Sequence, residues 1–163
     1  MLARHFADRP IGQRIELPLN IASCYDIELL LQPAGGPYDG IYYLREIVGD
    51  RIFSGSIGYI ESAALYRSLA SLYGTRPSTY AAFSNAISAL GGKLNDIIID
   101  GYTESESAFH SALRITSNTG QLHIDVRPSD ALNLAIMCNV PIFVSEAAWR
   151  MSHYQRCESS PEE

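Results

Sequence analysis

The chain has 163 residues, of which 47% are hydrophobic, and its formal net charge is −6. This length is typical of one domain with a buried core, and the hydrophobic content excludes a disordered chain. The acidic balance argues against broad, non-specific attraction to a polyanion. Lys93 is the single lysine, so the positive charge comes almost wholly from arginine, which pairs with carboxylates or phosphates.

Residues 1–21 show weak periodicity, and we expect part of this segment to be loosely ordered. Alternation and turn signals predict strands at residues 25–31, 41–48 and 51–57, the last two joined as a hairpin through Gly49-Asp50. The period then becomes helical from residue 58 to residue 73. A second helix is predicted to begin at Pro77-Ser78-Thr79 and to stop at Gly91-Gly92.

The second half of the chain continues with strands and one long apolar helix. The pattern predicts a β-branched strand at residues 93–100, a hairpin formed by residues 108–117 and 121–126, a helix from residue 128, a strand at residues 140–144 and a final helical turn or two at residues 145–149. Strands and helices interleave without strict βαβ alternation, which indicates an α+β fold with a mixed sheet. We predict one domain over residues 1–150, with residues 1–40 as an N-terminal arm or strand, and a disordered acidic tail at residues 151–163.

Cysteine usage and the N-terminal segment bear on the compartment. The three cysteines have no metal-like spacing, no signal-peptide pattern precedes residue 14, and no apolar run approaches the ~20 residues of a membrane span. These features predict a cytoplasmic protein without a membrane partner.

A strand that runs straight into a helix, at residues 122–136, is the most informative stretch. Arg127, Ser129, Asp125 and Asp130 gather around the junction, where free backbone N–H groups favour anions. Capping of the helix by Ser129 and Asp130, with a salt bridge from Arg127 to an aspartate, explains the same pattern without any function.

A similar junction occurs earlier, where residues 51–57 turn directly into a helix that carries Glu61 in its first turn. This echo indicates either ordinary capping or a duplicated strand-helix unit. If the two junctions are neighbours, Glu61, Asp125 and Asp130 converge, as metal-assisted hydrolysis would require.

The chain resembles the bifunctional nuclease domain family between about residues 41 and 149. The strongest element is DVRPSDALNLA at residues 125–135, followed by VPIFVSE at residues 140–146. The supporting elements are LRE at residues 44–46 with Gly49 and Arg51, IGYIESAA at residues 57–64 and RPST at residues 76–79.

The resemblance implies a homo-oligomeric α+β domain with nuclease activity on DNA and RNA. It assigns the site to Glu61, Arg127, Ser129 and Asp130, with Arg127 clamping a phosphate and Asp130 or Glu61 activating water or binding a metal. The cofactor expected is a divalent metal, Mg²⁺ or Mn²⁺, and the pattern of carboxylates at the junction indicates Asp125 and Asp130 as its ligands.

One departure from the family pattern bears on catalysis. After Arg-Pro-x-Thr the family commonly has His-Asp, and this chain has Tyr80-Ala81. The alternative function is therefore a catalytically impaired oligomeric module that binds a small anionic ligand or a protein partner.

Overall fold

The computed structural model describes residues 16–19, 40–45, 51–72 and 74–158. They form seven strands and four α-helices, with a short 3-10 turn at Glu104–Glu106. The strands are β1 (Glu16–Leu19), β2 (Gly40–Arg45), β3 (Ile52–Ile57), β4 (Lys93–Thr103), β5 (Ala108–Ser117), β6 (Gly120–Val126) and β7 (Ile142–Ser145). The helices are α1 (Tyr59–Leu69), α2 (Thr79–Ala89), α3 (Pro128–Cys138) and α4 (Glu146–Glu158).

Five strands form one mixed sheet in the order β1-β7-β4-β5-β6, and β2 and β3 form a separate antiparallel hairpin. β4 lies at the centre, parallel to β7 and antiparallel to β5. Its residues Ile97, Ile98 and Ile99 are all buried, as expected of a strand covered on both faces. The predicted α+β fold with a mixed sheet is confirmed.

The helices cover this sheet and enclose one apolar core. α3 contacts β4 and β5, and α1 and α2 pack against α3. Every residue of α3 from Ala131 to Ala135 is buried, so the helix is enclosed by its neighbours rather than lying on the surface. α3 begins with Pro128 and ends at Cys138, and its C-cap Asn139 has a left-handed φ of 52°, a conformation that asparagine tolerates at a helix C-terminus.

Both ends of the described chain bear on the sequence-based expectation. β1 lies in the segment predicted to be an N-terminal arm or strand, and it pairs antiparallel with β7, from Glu16 opposite Ser145 to Leu19 opposite Ile142. α4 is longer than the turn or two predicted, since it continues from Glu146 to Glu158 into the segment predicted to be a disordered tail. The predicted strand at residues 25–31 lies outside the described residues.

None of the helices in the described part of the chain has the length and apolar character needed to span a bilayer.

Candidate functional site: the arginine–carboxylate cluster

The two strand-helix junctions lie side by side. β3 turns into α1 at Gly58, and β6 turns into α3 at Arg127, with the residue at each turn in an extended conformation. α1 packs against α3, which places Glu61, in the first turn of α1, beside Arg127. The neighbouring arrangement on which the sequence-based site depended is therefore present in the fold.

Arg127 is held by two carboxylates. Its Nε donates to Asp130 Oδ2 at 2.8 Å, and its Nη2 donates to Glu61 Oε1 at 2.8 Å and to Asp130 Oδ1 at 3.2 Å. The side chain of Arg127 is 67% exposed, whereas those of Glu61 and Asp130 are only 17% and 24% exposed. The hydrogen bonds to Asp130, followed by the nearby carboxylate charges, raise the pKa of Arg127, so the guanidinium stays charged.

The arginine keeps one donor edge for a ligand. Among the described residues Nη1 has no hydrogen-bond partner, and a guanidinium carries two N–H groups on that nitrogen. Arg127 lines a cavity of 430 Å³ together with Glu61, Ser129, Gly58 and Tyr102. This volume lies within the range of small-molecule sites.

Tyr80 is a member of the cluster that sequence reasoning did not assign to the site. Its hydroxyl, at the start of α2, donates to Asp130 Oδ1 at 2.8 Å. Burial raises the pKa of Tyr80 above its ordinary value near 10, and the hydrogen bond and negative charge of Asp130 raise the pKa further. The phenol therefore remains protonated near neutral pH, where it orients Asp130 rather than transferring a proton.

A buried asparagine ties the two helices together beneath the cluster. Asn133 is fully buried, and its Nδ2 donates to the backbone carbonyls of Glu61 at 3.1 Å and Ser129 at 2.9 Å. Its Oδ1 finds no hydrogen-bond partner in the described structure. Because this amide bridges α1 and α3, it sets the separation between the carboxylate of Glu61 and the helix that carries Arg127.

The predicted site residues divide into two groups. Glu61, Arg127 and Asp130 meet in the cluster, and Ser129 lines the adjoining cavity. Asp125 does not join the cluster: it makes no hydrogen bond or ion pair with Glu61, Arg127 or Asp130, and it is exposed on the edge strand β6, opposite Ala112. No group of three or more His, Cys, Asp or Glu side chains in the described ranges could hold a metal ion.

The interpretation of the junction as helix capping plus a salt bridge describes part of what is found. Asp130 and Glu61 each lie in the first turn of a helix, where a carboxylate complements the helix dipole, and Arg127 does pair with an aspartate. Capping does not explain the contact between Arg127 and Glu61, which joins residues 66 positions apart. The strands of the two junctions have different partners, because β3 pairs with β2 in a hairpin and β6 lies at the edge of the larger sheet. The duplicated strand-helix unit stays a prediction.

Comparison with known proteins identifies the family. A family model described as the bifunctional nuclease domain matches residues 43–155. Two curated proteins of Mycobacterium tuberculosis, named uncharacterized protein Rv1829 and uncharacterized protein MT1877, are each 31% identical to this chain over 140 residues. Each alignment covers 85% of this chain and 71% of the relative. The chain therefore belongs to the bifunctional nuclease domain family.

Proposed function

We propose that this chain hydrolyses phosphodiester bonds of DNA or RNA at the cluster of Glu61, Arg127 and Asp130. The observation that carries the proposal is the exposed guanidinium of Arg127, which two carboxylates hold in place while its Nη1 edge stays available beside a cavity. A guanidinium with free N–H groups is well suited to bind a phosphate. Family membership supports the reaction class.

The carboxylates supply the remaining chemistry in this proposal. Asp130 is oriented by Tyr80 and Arg127, so either Asp130 or Glu61 could accept a proton from an attacking water. Glu61 Oε2 makes no hydrogen bond to the described residues, which leaves this oxygen available. Ser129 lines the same cavity and would position substrate.

The proposal also includes a divalent cation that is bound jointly with substrate. Mg²⁺ is commonly held by one or two carboxylates, with waters and substrate phosphates completing its shell. Glu61 and Asp130 would be those carboxylates here, and Mg²⁺ or Mn²⁺ would neutralise charge on the phosphate. Asp125 remains a predicted ligand. Calorimetric titration of Mg²⁺ and Mn²⁺ into Glu61→Gln, Asp125→Asn and Asp130→Asn variants tests which carboxylates contribute, and a variant that binds the metal as the wild type does excludes its residue.

A cleavage assay tests the proposed reaction. Purified protein is incubated with single-stranded DNA and with RNA, with and without Mg²⁺ or Mn²⁺, and compared with Arg127→Gln and Asp130→Ala. We expect each variant to lose on the order of 10²-fold in rate, because each removes a group that contacts the reacting phosphate or water. Arg150→Gln, an exposed arginine on α4, is the matched control and should retain full activity. Cleavage that persists in Asp130→Ala would refute the site.

A second candidate function, a catalytically impaired module that binds an anionic ligand or a protein, is favoured by Tyr80. The residue stands where the family resemblance predicts histidine, and its raised pKa leaves no group at that position that titrates near neutrality. The double variant Tyr80→His with Ala81→Asp distinguishes the two functions. Cleavage gained only by the double variant supports the impaired module, whereas equal cleavage by both proteins supports the nuclease.

We further propose that the protein forms a homo-oligomer. Large apolar side chains are exposed on α1 and on the edge strand β6, among them Tyr59, Ile60, Tyr66, Leu122 and Ile124. Large exposed apolar side chains that are grouped on one element can form an interaction site. Light scattering after size-exclusion chromatography measures the mass directly, and a monomer across the working concentration range would refute this proposal.

We place the protein in the cytoplasm as a proposal. Cys138 is a free thiol in the structure, which suits a reducing compartment. Cell fractionation tests the location.

A further inference from the structure

A second cavity, of 630 Å³, adjoins the cluster at Tyr80. The outer face of α1, residues 74–78 and the first half of α2 line it. Tyr80 is common to the two sites, since it lines this cavity and its hydroxyl bonds to Asp130. The volume falls within the range that small-molecule sites occupy in proteins.

Among the described residues, the charged groups that line this cavity are all cationic. Arg67 and Arg76 are both exposed, no carboxylate lines the cavity, and neither arginine forms a hydrogen bond or an ion pair with the described residues. By contrast, Arg127 and Arg114 are both paired with carboxylates. Two unpaired guanidinium groups on one cavity complement a dianion such as a phosphate monoester.

Backbone donors reinforce this preference for an anion. Ser78 is the N-cap of α2, and its side chain accepts a hydrogen bond from the backbone N–H of Ala81. The N–H groups of Thr79 and Tyr80 belong to the first turn of α2, so they have no partner within the helix. Ser78 and Tyr80 line the same cavity as the two arginines, so this helix N-terminus adds to its positive potential.

The rest of the lining is largely apolar. Ile60, Ala63, Leu72 and Met137 supply aliphatic surface, and Asn85 adds an amide that can both donate and accept hydrogen bonds. A bare phosphate or a sugar phosphate would leave this apolar surface unused. A flat heterocycle with hydrogen-bonding edges would use both kinds of surface.

We propose that the 630 Å³ cavity binds a nucleotide, with Arg67 and Arg76 on a terminal phosphate monoester and the base against the apolar wall. The choice of a nucleotide among amphipathic phosphate monoesters rests on the proposed function. The phosphate comes either from a free mononucleotide or from the phosphorylated end of a strand. In the second case the cavity holds the end of the strand whose internal phosphodiester reaches Arg127.

Equilibrium binding of AMP, measured by isothermal titration calorimetry, tests the site. AMP has no phosphodiester bond, so its binding does not depend on whether the protein is a nuclease. We expect Arg67→Gln with Arg76→Gln to weaken AMP binding by about 100-fold, since each lost charge-assisted contact is worth about tenfold. The matched double control, Lys93→Gln with Arg150→Gln, removes the same charge from other exposed positions and should bind AMP as the wild type does.

Two further measurements test the apolar wall and the source of the phosphate. Ala63→Phe, an exposed change on α1 that fills the cavity, should also weaken AMP binding while leaving the cluster intact. Tighter binding of a 5′-phosphorylated oligonucleotide than of AMP identifies a strand end, and the reverse identifies a free nucleotide. Failure of AMP and of the phosphorylated oligonucleotide to bind, or inorganic phosphate binding as tightly as AMP, would overturn the inference. Loss of cleavage in Arg127→Gln with AMP binding retained would instead leave both proposals standing.

Discussion

Replacement of Asn133 separates the structural role of its amide from its polarity. Leucine has a similar branched shape and no polar atom, whereas aspartate has the same shape with an acceptor in place of the amide donor. Both changes remove the amide that donates to the carbonyls of Glu61 and Ser129. Only the aspartate adds a group that these carbonyls repel.

The contacts set the expected cost of each change. Asn133→Leu loses two hydrogen bonds of about 1 kcal/mol each, but it also removes the unpartnered Oδ1, whose burial costs about 1–3 kcal/mol. Both carbonyls lie within helices, where the N–H four residues later remains their regular partner. We therefore expect Asn133→Leu to change the free energy of unfolding by less than about 1.5 kcal/mol. Asn133→Asp buries a carboxyl that can donate at most one hydrogen bond, at a cost of about 3 kcal/mol or more.

Urea denaturation followed by circular dichroism measures both variants at neutral pH. The reasoning requires the midpoint of Asn133→Asp to fall well below that of Asn133→Leu with similar m-values. Equal losses in the two variants would refute it, because the amide donors would then matter more than the unpartnered oxygen. Cleavage by folded Asn133→Leu should fall as well, since the link that positions Glu61 against Arg127 is gone.

Three further changes probe the cluster itself. Tyr80→Phe should leave the phenolate absorbance gained between pH 9 and pH 11 unchanged, because the raised pKa keeps Tyr80 protonated in this range. If the variant instead gains one phenolate fewer than the wild type, the raised pKa of Tyr80 is contradicted. Because the pKa of Tyr80 is higher in the folded state than its unfolded value near 10, protonated Tyr80 stabilises the fold fully below pH 10, and this stabilisation is lost as the pH rises above 10. The free energy of unfolding should therefore fall more steeply above pH 10 in the wild type than in Tyr80→Phe. Gly58→Ala places a Cβ 2.6 Å from Glu61 Oε2, so the carboxylate must move and cleavage should fall while helix content stays constant. Glu61→Gln should bind single-stranded DNA more tightly in anisotropy measurements without divalent metal, because one negative charge that repels the phosphates is removed. It should cleave the DNA more slowly, and weaker binding would contradict this reasoning.

Local patterns predicted most of the elements because their periodicity reflects burial. The β-branched run around Ile98 is the central strand, and the apolar run after Pro128 is the enclosed helix α3. β1 has four residues with Pro18 among them, and it exists through pairing with β7, a contact between distant parts of the chain. A local pattern cannot predict the bounds of a strand that depends on such a distant partner. α4 was underestimated because its second half is polar, and a polar surface gives little helical periodicity.

The site was predictable only where the residues lie close in sequence. Arg127 and Asp130 are three residues apart, so their salt bridge follows from the helix start alone. Prediction of the contact between Arg127 and Glu61 required the further assumption that the two similar junctions are neighbours. The packing of α1 on α3 brings the junctions together. Tyr80 reaches Asp130 across 50 residues through the packing of α2 on α3, and the sequence marked it only as a departure from the family pattern.

The charge balance of the cluster explains why a phosphate needs more than Arg127. Two carboxylates and one guanidinium carry a formal net charge of −1, so an approaching phosphate meets repulsion as well as the Nη1 donors. A unit charge at 4 Å is worth about 4 kcal/mol at the effective dielectric constant near a protein surface, which is comparable to the gain from a bidentate contact. Nucleic-acid affinity should therefore depend on a group that offsets this charge. A divalent cation bound at Glu61 Oε2 would do so at the cluster, and Arg67 and Arg76, which pair with none of the described residues, would do so at the neighbouring cavity. The two devices are separable, since chelation removes only the first and substitution of the two arginines only the second.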